Sequence, residues 1–107
     1  METPSDLNQI LRQEMMLYAQ IKGYKVSSHF LSNEEQSAYI VVVISDADYP
    51  LDRFTRLMMM AHIEDDKIII DADTTDRPLY EALMHAGIPR EKIILAYAGE
   101  KLLTPIS

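Results

Sequence analysis

The sequence contains no cysteine and no tryptophan, and only three of its 107 residues are glycine. The lack of cysteine excludes disulfide bonds, thiolate catalysis and metal sites built on cysteine. Three glycines are too few for a glycine-rich loop that cradles phosphates. The Gly-x-Ser-x-Gly and Ser-x-x-Lys patterns of nucleophilic enzymes are also missing. Nucleotide binding and nucleophilic catalysis therefore lack support, and we expect a protein that is not an enzyme and holds no cofactor.

Long hydrophobic runs are missing as well. The longest one, residues 38–44, has seven residues, whereas a membrane-spanning helix needs about 20. No basic segment followed by an apolar one stands at the N-terminus, so no secretory signal is predicted. We expect a soluble protein that does not contact a membrane, with the cytoplasm as its default location.

Positive charge is scarce, since 10 Lys and Arg stand against 17 Asp and Glu, for a formal net charge of −7. Such a chain repels a phosphate backbone unless its basic residues cluster, and here they are spread along the sequence. We therefore expect no direct binding of nucleic acid. The alternative requires folding to assemble a basic patch from Arg53, Arg56, Arg77 and Arg90.

The composition, with 48% hydrophobic and 25% charged residues, is typical of one globular domain over residues 1–107. Thr3 as a cap, Pro4 in the first turn and an i, i+3, i+4 apolar stripe predict a helix over 4–22 that ends at Gly23. A second helix follows, with Thr75 or Asp76 as its cap. We expect this helix to stop at Gly87, with Ile88 folding back on Leu83.

Between and after these helices, the apolar pattern is typical of strands. Alternation over 24–31 and β-branched residues over 39–44 predict a hairpin. Two more strands, 54–63 and 68–70, are joined by a tight turn over 64–67, and residues 93–98 add a last strand. The predicted fold class is α+β, an antiparallel meander of four to five strands with both helices packed on one face.

The central strands predict that the second face of the sheet is also buried. Residues 39–44 and 57–61 are apolar at odd and even positions alike, whereas a strand with one face in water alternates between apolar and polar residues. No third helix is available to cover it. We therefore expect a homo-oligomer, a dimer or higher, formed through this face. The alternative is that loop 46–53 or the C-terminal tail covers it. Methionine adapts its shape to a neighbour, and the predicted interface residues are Met58, Met59, Met60, Val41 and Val43.

Two sets of polar residues are candidates for chemistry. His29, His62 and His85 lie on different elements without a metal-ligand spacing, so no metal site is predicted from them. The acidic run at 71–76 lacks the glycine and the closing glutamate of a calcium loop. A weak Mg²⁺ site there remains an alternative to simple helix capping. The corresponding alternative function is a small enzyme or a ligand-binding protein with a site near Asp71, Asp73, Thr75 and Asp76.

The second half of the chain carries several spaced motifs. An acidic turn is followed by Lys67 and an apolar strand, then by Asp73-Thr74-Thr75-Asp76, a helix ending Gly87-Ile88-Pro89, and a final Leu95-Ala96-Tyr97. This pattern resembles the XisI family, the fdxN element excision controlling factors, over roughly residues 7–98. The chain departs from it at Ser45-Asp46, where Gly-Trp is frequent, so it resembles a divergent member. The matching motif residues are Lys67, Asp73, Thr75, Asp76, Gly87, Pro89, Leu95 and Tyr97.

The resemblance implies an accessory role in site-specific DNA excision, in which the recombinase is a separate protein. It implies no catalytic residue. It further implies action through protein contacts, with a XisH-like protein of nuclease fold as a possible partner. The function expected from the sequence is therefore a non-catalytic regulatory factor.

Overall fold

Six strands form a single sheet in the part of the chain that the structure describes. The computed structural model describes residues 4–20, 22–23, 25–46 and 53–101, with side chains from residue 7 onward. The strand order is β1-β2-β3-β4-β5-β6, and every neighbouring pair is antiparallel except β5 with β6. The strands are β1 (Lys22–Gly23), β2 (Val26–Asn33), β3 (Ala38–Ser45), β4 (Phe54–Glu64), β5 (Lys67–Asp73) and β6 (Ile93–Leu95).

Helix α1 (Pro4–Tyr18) ends earlier than the predicted residue 22. Its buried stripe is Leu7, Leu11 and Met15, whereas Leu17 near the end of the helix is 56% exposed. The N–H of Ala19 donates to the carbonyl of Met16 at 3.1 Å, which tightens and ends the last turn. The chain then pairs as strand β1, so tertiary pairing replaces the last predicted turn. The predicted cap at Thr3, most of loop 46–53 and the tail beyond 101 lie outside the described residues.

The turns between antiparallel strands follow from residues that tolerate a positive φ. In the β4–β5 turn, Asp65 and Asp66 have φ of 51° and 64°, the left-handed pair that matches the twist of a hairpin. Between β2 and β3, a 3-10 turn (Glu34–Gln36) is capped by Asn33, whose side chain accepts from the Gln36 N–H at 3.3 Å. The predicted hairpins are therefore confirmed.

The last strand lies parallel to β5 because helix α2 (Leu79–His85) carries the chain back before it begins. Its extent is shorter than the predicted 93–98, since a 3-10 turn (Ala96–Ala98) follows Leu95. Glu100 fixes this end, because its carboxylate accepts from the Leu95 N–H at 2.9 Å and from Arg90 at 2.6 Å. The pKa of the Glu100 carboxyl is lowered, chiefly by the Leu95 N–H and next by Arg90.

The core lies between the two helices and one face of the sheet, which confirms the α+β class with both helices on one side. We call this side the inner face. The side chains that fill the core come from both helices and from four strands, together with Ile88 after α2. They are Leu7, Leu11, Met15, Tyr39, Val41, Met59, Ala61, Ile68, Ile70, Leu79, Leu83, Ile88, Ile93 and Leu95.

Helix α2 stops as the sequence predicts. Gly87 has φ of 105°, and the N–H of Ile88 donates to the carbonyl of Leu83 at 3.0 Å. Ile88 is 1% exposed, so the chain turns back onto the helix and enters the core.

Gly87→Ala is expected to lower the free energy of unfolding by about 1–2 kcal/mol, because an L side chain disfavours the left-handed conformation that this position requires. A Cβ there meets nothing within 4 Å, so the cost is conformational alone. Urea unfolding measures it. Gly23→Ala is the matched control, since its Cβ also meets no atom and its φ is not positive. Equal losses in both variants would contradict the explanation.

Candidate functional site

The acidic motif at the end of β5 forms a capped turn. The Asp73 carboxylate accepts from the Thr75 N–H at 2.9 Å, the Thr75 hydroxyl at 2.6 Å and the Leu79 N–H at 2.7 Å. Asp73 is therefore the side chain that caps α2, from six residues upstream. The prediction that Thr75 or Asp76 is the cap was wrong, because the chain turns at Pro78, which occupies the N-cap position without a side-chain cap bond.

Helix α1 holds this capped turn against the sheet. The Tyr18 hydroxyl donates to the carbonyl of Arg77 at 2.7 Å, and the Arg77 guanidinium lies 5.9 Å from the centre of the Tyr18 ring. Burial raises the pKa of the Tyr18 phenol, and the negative charge of Asp73 raises it further. Tyr18 therefore stays a neutral hydrogen-bond donor at ordinary pH.

The four residues of the alternative ligand site do not converge. Asp71 lies 2.7 Å from His62 Nδ1 across the β4–β5 pair, while Asp73 and Thr75 bond to each other and to the start of α2. Asp76 is exposed. Among the described residues, no group of three His, Cys, Asp or Glu is placed to hold a metal ion.

An open groove of about 350 Å³ lies beside the capped turn, between the end of α1 and β4. Leu17 and Met58 form part of its lining, and Asp76 and Arg77 stand at it as the charged groups. Of the four residues Asp71, Asp73, Thr75 and Asp76, Asp76 is the exposed one, so it is the member of this acidic segment that another molecule can reach most readily.

Three further motif residues also have local structural roles. Lys67 stands opposite Glu64 in the β4–β5 pair, and Gly87 ends α2. Pro89 precedes the 3-10 turn Arg90–Lys92 that leads into β6. The motif is therefore a set of turns and helix ends that builds the β5–α2–β6 unit.

The sheet has a second apolar face, turned away from the helices, which we call the outer face. On β3 the residues that alternate with the buried Tyr39 and Val41 are all apolar. Ile40 pairs with Leu31 and Met60, and Val42 pairs with Leu57, whereas the other partners are polar: His29 opposite Val42, and Ser27 and Thr55 opposite Ile44. Three of the apolar residues are substantially exposed: Leu31 at 53%, Leu57 at 41% and Ile44 at 36%. The apolar side chains of the outer face on β2, β3 and β4 are Leu31, Ile40, Val42, Ile44, Leu57 and Met60.

The five predicted interface residues are divided by the structure. Val41 and Met59 are fully buried under the helices, so they are not available to a second chain. Met58 is an extra residue in β4 at a register shift and packs against the core. Val43 is half-buried on the inner face. Met60 lies on the outer face, opposite Ile40.

Sequence reasoning missed most of the outer face for a physical reason. Both parities of β3 are apolar, so alternation does not show which set meets the helices. In β4 the extra residue Met58 places Leu57 and Met59 on opposite faces although both are odd-numbered. No local signal identifies such a bulge.

The four arginines of the alternative basic patch already have acidic or aromatic neighbours. Arg53 pairs with Asp46 at 2.7 Å, and Arg90 pairs with Glu100 at 2.6 Å. The Arg56 guanidinium lies 4.4 Å from the centre of the Phe54 ring, and Arg77 stacks on Tyr18. No helix in the described part of the chain is long and apolar enough to cross a membrane.

Comparison with known proteins agrees with this fold. The chain is similar to the structure of a XisI-like protein from Anabaena variabilis, with 24% identity, a TM-score of 0.76 and coverage of 87% of this chain and 85% of that one. It is also similar to the fdxN element excision controlling factor XisI from Anabaena variabilis, with 21% identity, a TM-score of 0.59 and coverage of 88% of each chain. At these identities the two structures show a shared fold.

No curated protein matches the sequence significantly. The model of the XisI protein family, in contrast, matches residues 1–104 of the 107. Because that match spans nearly the whole sequence, the chain belongs to the XisI family.

Proposed function

We propose that this protein is a non-catalytic regulatory factor in site-specific DNA excision, and that it acts by binding protein chains through the outer face of its sheet. Membership of the XisI family and the name of one structural relative, an excision controlling factor, support the excision role. The observation that carries the mode of action is the apolar outer face.

The outer face differs from that of a sheet that meets water. In a half-solvated antiparallel sheet, the water-facing positions are polar. Here Ile40, Val42 and Ile44 stand in succession along β3, and Leu57 and Met60 extend the patch across β4. Burying such side chains stabilises an assembly by about 25 cal/mol for each Å² removed from water. Contact with another protein surface is the arrangement that recovers this free energy.

We assign this face to a second copy of the chain. Sheets stack face to face at about 10 Å, and an apolar strip that runs along β3 and continues onto Leu31, Leu57 and Met60 complements itself about a twofold axis. His62 and Asp71 border the patch as a 2.7 Å hydrogen-bonded pair, which adds polar groups that are already satisfied within one chain. The polar rim therefore does not oppose the contact.

The partner that carries out DNA chemistry is a separate protein in this proposal. A formal net charge of −7 and the neighbours of the arginines disfavour direct binding to DNA. We propose a XisH-like protein of nuclease fold as that partner, and the cytoplasm, where the DNA is, as the location.

Met60→Lys is expected to halve the mass of the assembly, because a charge on the outer face would have to be desolvated at the contact. Light scattering at micromolar concentration measures the mass, and circular dichroism checks the fold. Gln13→Lys on the exposed side of α1 adds the same charge elsewhere and is expected to keep the wild-type mass. A wild-type mass of 12.3 kDa, that of one chain, would contradict self-association.

The role in excision is tested in the native host. Deleting the gene and restoring it as wild type or Gln13→Lys is expected to restore excision of the controlled element, whereas Met60→Lys restores little. Affinity purification from the same strains is expected to recover a protein of nuclease or recombinase fold. Excision that proceeds at the wild-type rate without the gene would overturn the proposed role.

A further inference from the structure

Strand β4 extends beyond the strand that covers its edge. Pairing of β4 with β5 begins at Met59, opposite Asp73. Thr74 then ends the pairing, since its N–H and its hydroxyl both lie within 3.0 Å of the Met58 carbonyl. Residues 54–57 pair with β3 on one side, and on the other side no strand of the described chain meets them.

Residues 54–57 of this edge contain neither lysine nor proline, and their one charged residue is Arg56. Natural edges are blocked by lysine, proline or an inward-pointing charge. Residues 54–57 read Phe-Thr-Arg-Leu, all exposed, and the charge of Arg56 is turned onto the Phe54 ring, 4.4 Å from its centre. Among the residues that the structure describes, nothing pairs with this edge, so it is open to another strand.

A groove runs along the same edge and leaves room for an added strand. Its volume is about 620 Å³. Leu57 and Met58 line it on the β4 side, and Thr74 and Asp76 line it at the end of β5. It therefore offers apolar surface together with the cation of Arg56 and the carboxylate of Asp76.

We propose that residues 54–57 pair antiparallel with the same residues of a second copy, about a twofold axis that passes through Thr55 perpendicular to the sheet. Such an axis places the inner faces of the two copies on the same side. Residues opposite each other in an antiparallel pair share a face, and faces alternate along a strand, so the axis must pass through a residue and not between two residues. Centring on Arg56 sets two arginines directly opposite, which is unfavourable. Centring on Thr55 sets Thr55 opposite Thr55, and sets each Phe54 opposite Arg56 of the second copy.

This register uses contacts that the single chain already displays. Arg56 stacks on Phe54 within one strand. In the proposed pairing, Arg56 of each copy also lies opposite Phe54 of the other copy, which gives two further contacts of the same kind. About four main-chain hydrogen bonds form between the two edges. Arg53 of the second copy then stands opposite Leu57, which lines the groove together with Asp76. A groove with both signs of charge fits a second copy better than a polyanion or a peptide of one charge.

The inference deepens the proposed function and has its own test. The outer-face contact has its twofold axis in the plane of the sheet, and the edge contact has its axis perpendicular to that plane. Two perpendicular twofold axes that intersect generate a tetramer with D2 symmetry. Each contact alone gives a dimer. Because Thr55 lies opposite Ile44 on the outer face, the Thr55 variants are compared with Met60→Lys, which alters the outer face without touching residues 54–57.

Thr55→Lys and Thr55→Glu test the edge, because each sets like charges opposite each other on the axis. Each variant alone is expected to halve the mass measured by light scattering. A 1:1 mixture of the two is expected to restore the wild-type mass, since opposite charges then meet. Thr55→Ser is the matched control and is expected to keep the wild-type mass. Because Thr55 is exposed, the fold is expected to persist, and circular dichroism checks it.

Combining Thr55→Lys with Met60→Lys is expected to give single chains. Wild-type mass in both charged Thr55 variants, or a mixture that does not restore the mass, overturns the edge pairing. If Met60→Lys leaves the mass unchanged while Thr55→Lys halves it and the mixture restores it, the edge pairing stands and the outer-face contact fails.

Discussion

Val41→Lys is expected to abolish folding, whereas Val42→Lys is expected to leave a folded chain. Val41 is fully buried under the helices, while Val42 lies half-buried on the outer face. A lysine in a core must be buried charged or lose its proton, and the known shifts of buried lysines to a pKa of about 5–6 correspond to a cost of about 6 kcal/mol. Total stabilities of domains are about 5–15 kcal/mol, so such a loss unfolds a domain whose stability lies in the lower part of that range.

The two neighbouring substitutions form their own control, since the chemical change is identical. Near-ultraviolet circular dichroism and urea unfolding measure the outcome. Val42→Lys is further expected to lower the mass of the assembly in the same way as Met60→Lys. A Val41→Lys protein with a native spectrum, or an unfolded Val42→Lys protein, would show that the two faces of β3 are assigned the wrong way round.

Asp73→Ala is expected to lower the free energy of unfolding by about 2–3 kcal/mol. The substitution removes three hydrogen bonds to a carboxylate and leaves the Thr75 and Leu79 N–H groups without this acceptor. For a domain of this size, such a loss lowers the melting temperature by about 10 °C or more. Thermal unfolding followed by circular dichroism measures it.

Asp76→Ala is the matched control, because it removes an equal charge from the same motif. Asp76 is exposed, so its loss is expected to change the stability by no more than about 0.5 kcal/mol. Equal destabilisation by the two substitutions would contradict the view that Asp73 alone caps α2. A defect of Asp76→Ala in host excision, without a loss of stability, would instead mark its groove as a contact site.

The motif that carries the family resemblance is explained by these contacts. Asp73, Thr75 and Gly87 hold the start and the end of α2, and Pro89 leads the chain into β6. Such residues have short-range roles at fixed spacings, so their pattern is readable from the sequence alone. None of them identifies a partner, because a turn requires the same residue types whether or not its surface binds another molecule.

The sequence by itself determined the local features: the two helices, the hairpins, the turn at Asp65 and Asp66, and the stop at Gly87, because each depends on propensities and hydrogen bonds within a few residues. Only the tertiary structure decided which parity of β3 is buried, where Met58 inserts a bulge, and that Asp73 rather than Thr75 or Asp76 caps α2. These outcomes depend on packing between distant segments. An apolar residue fits either face of a strand equally well until the helices cover one of them.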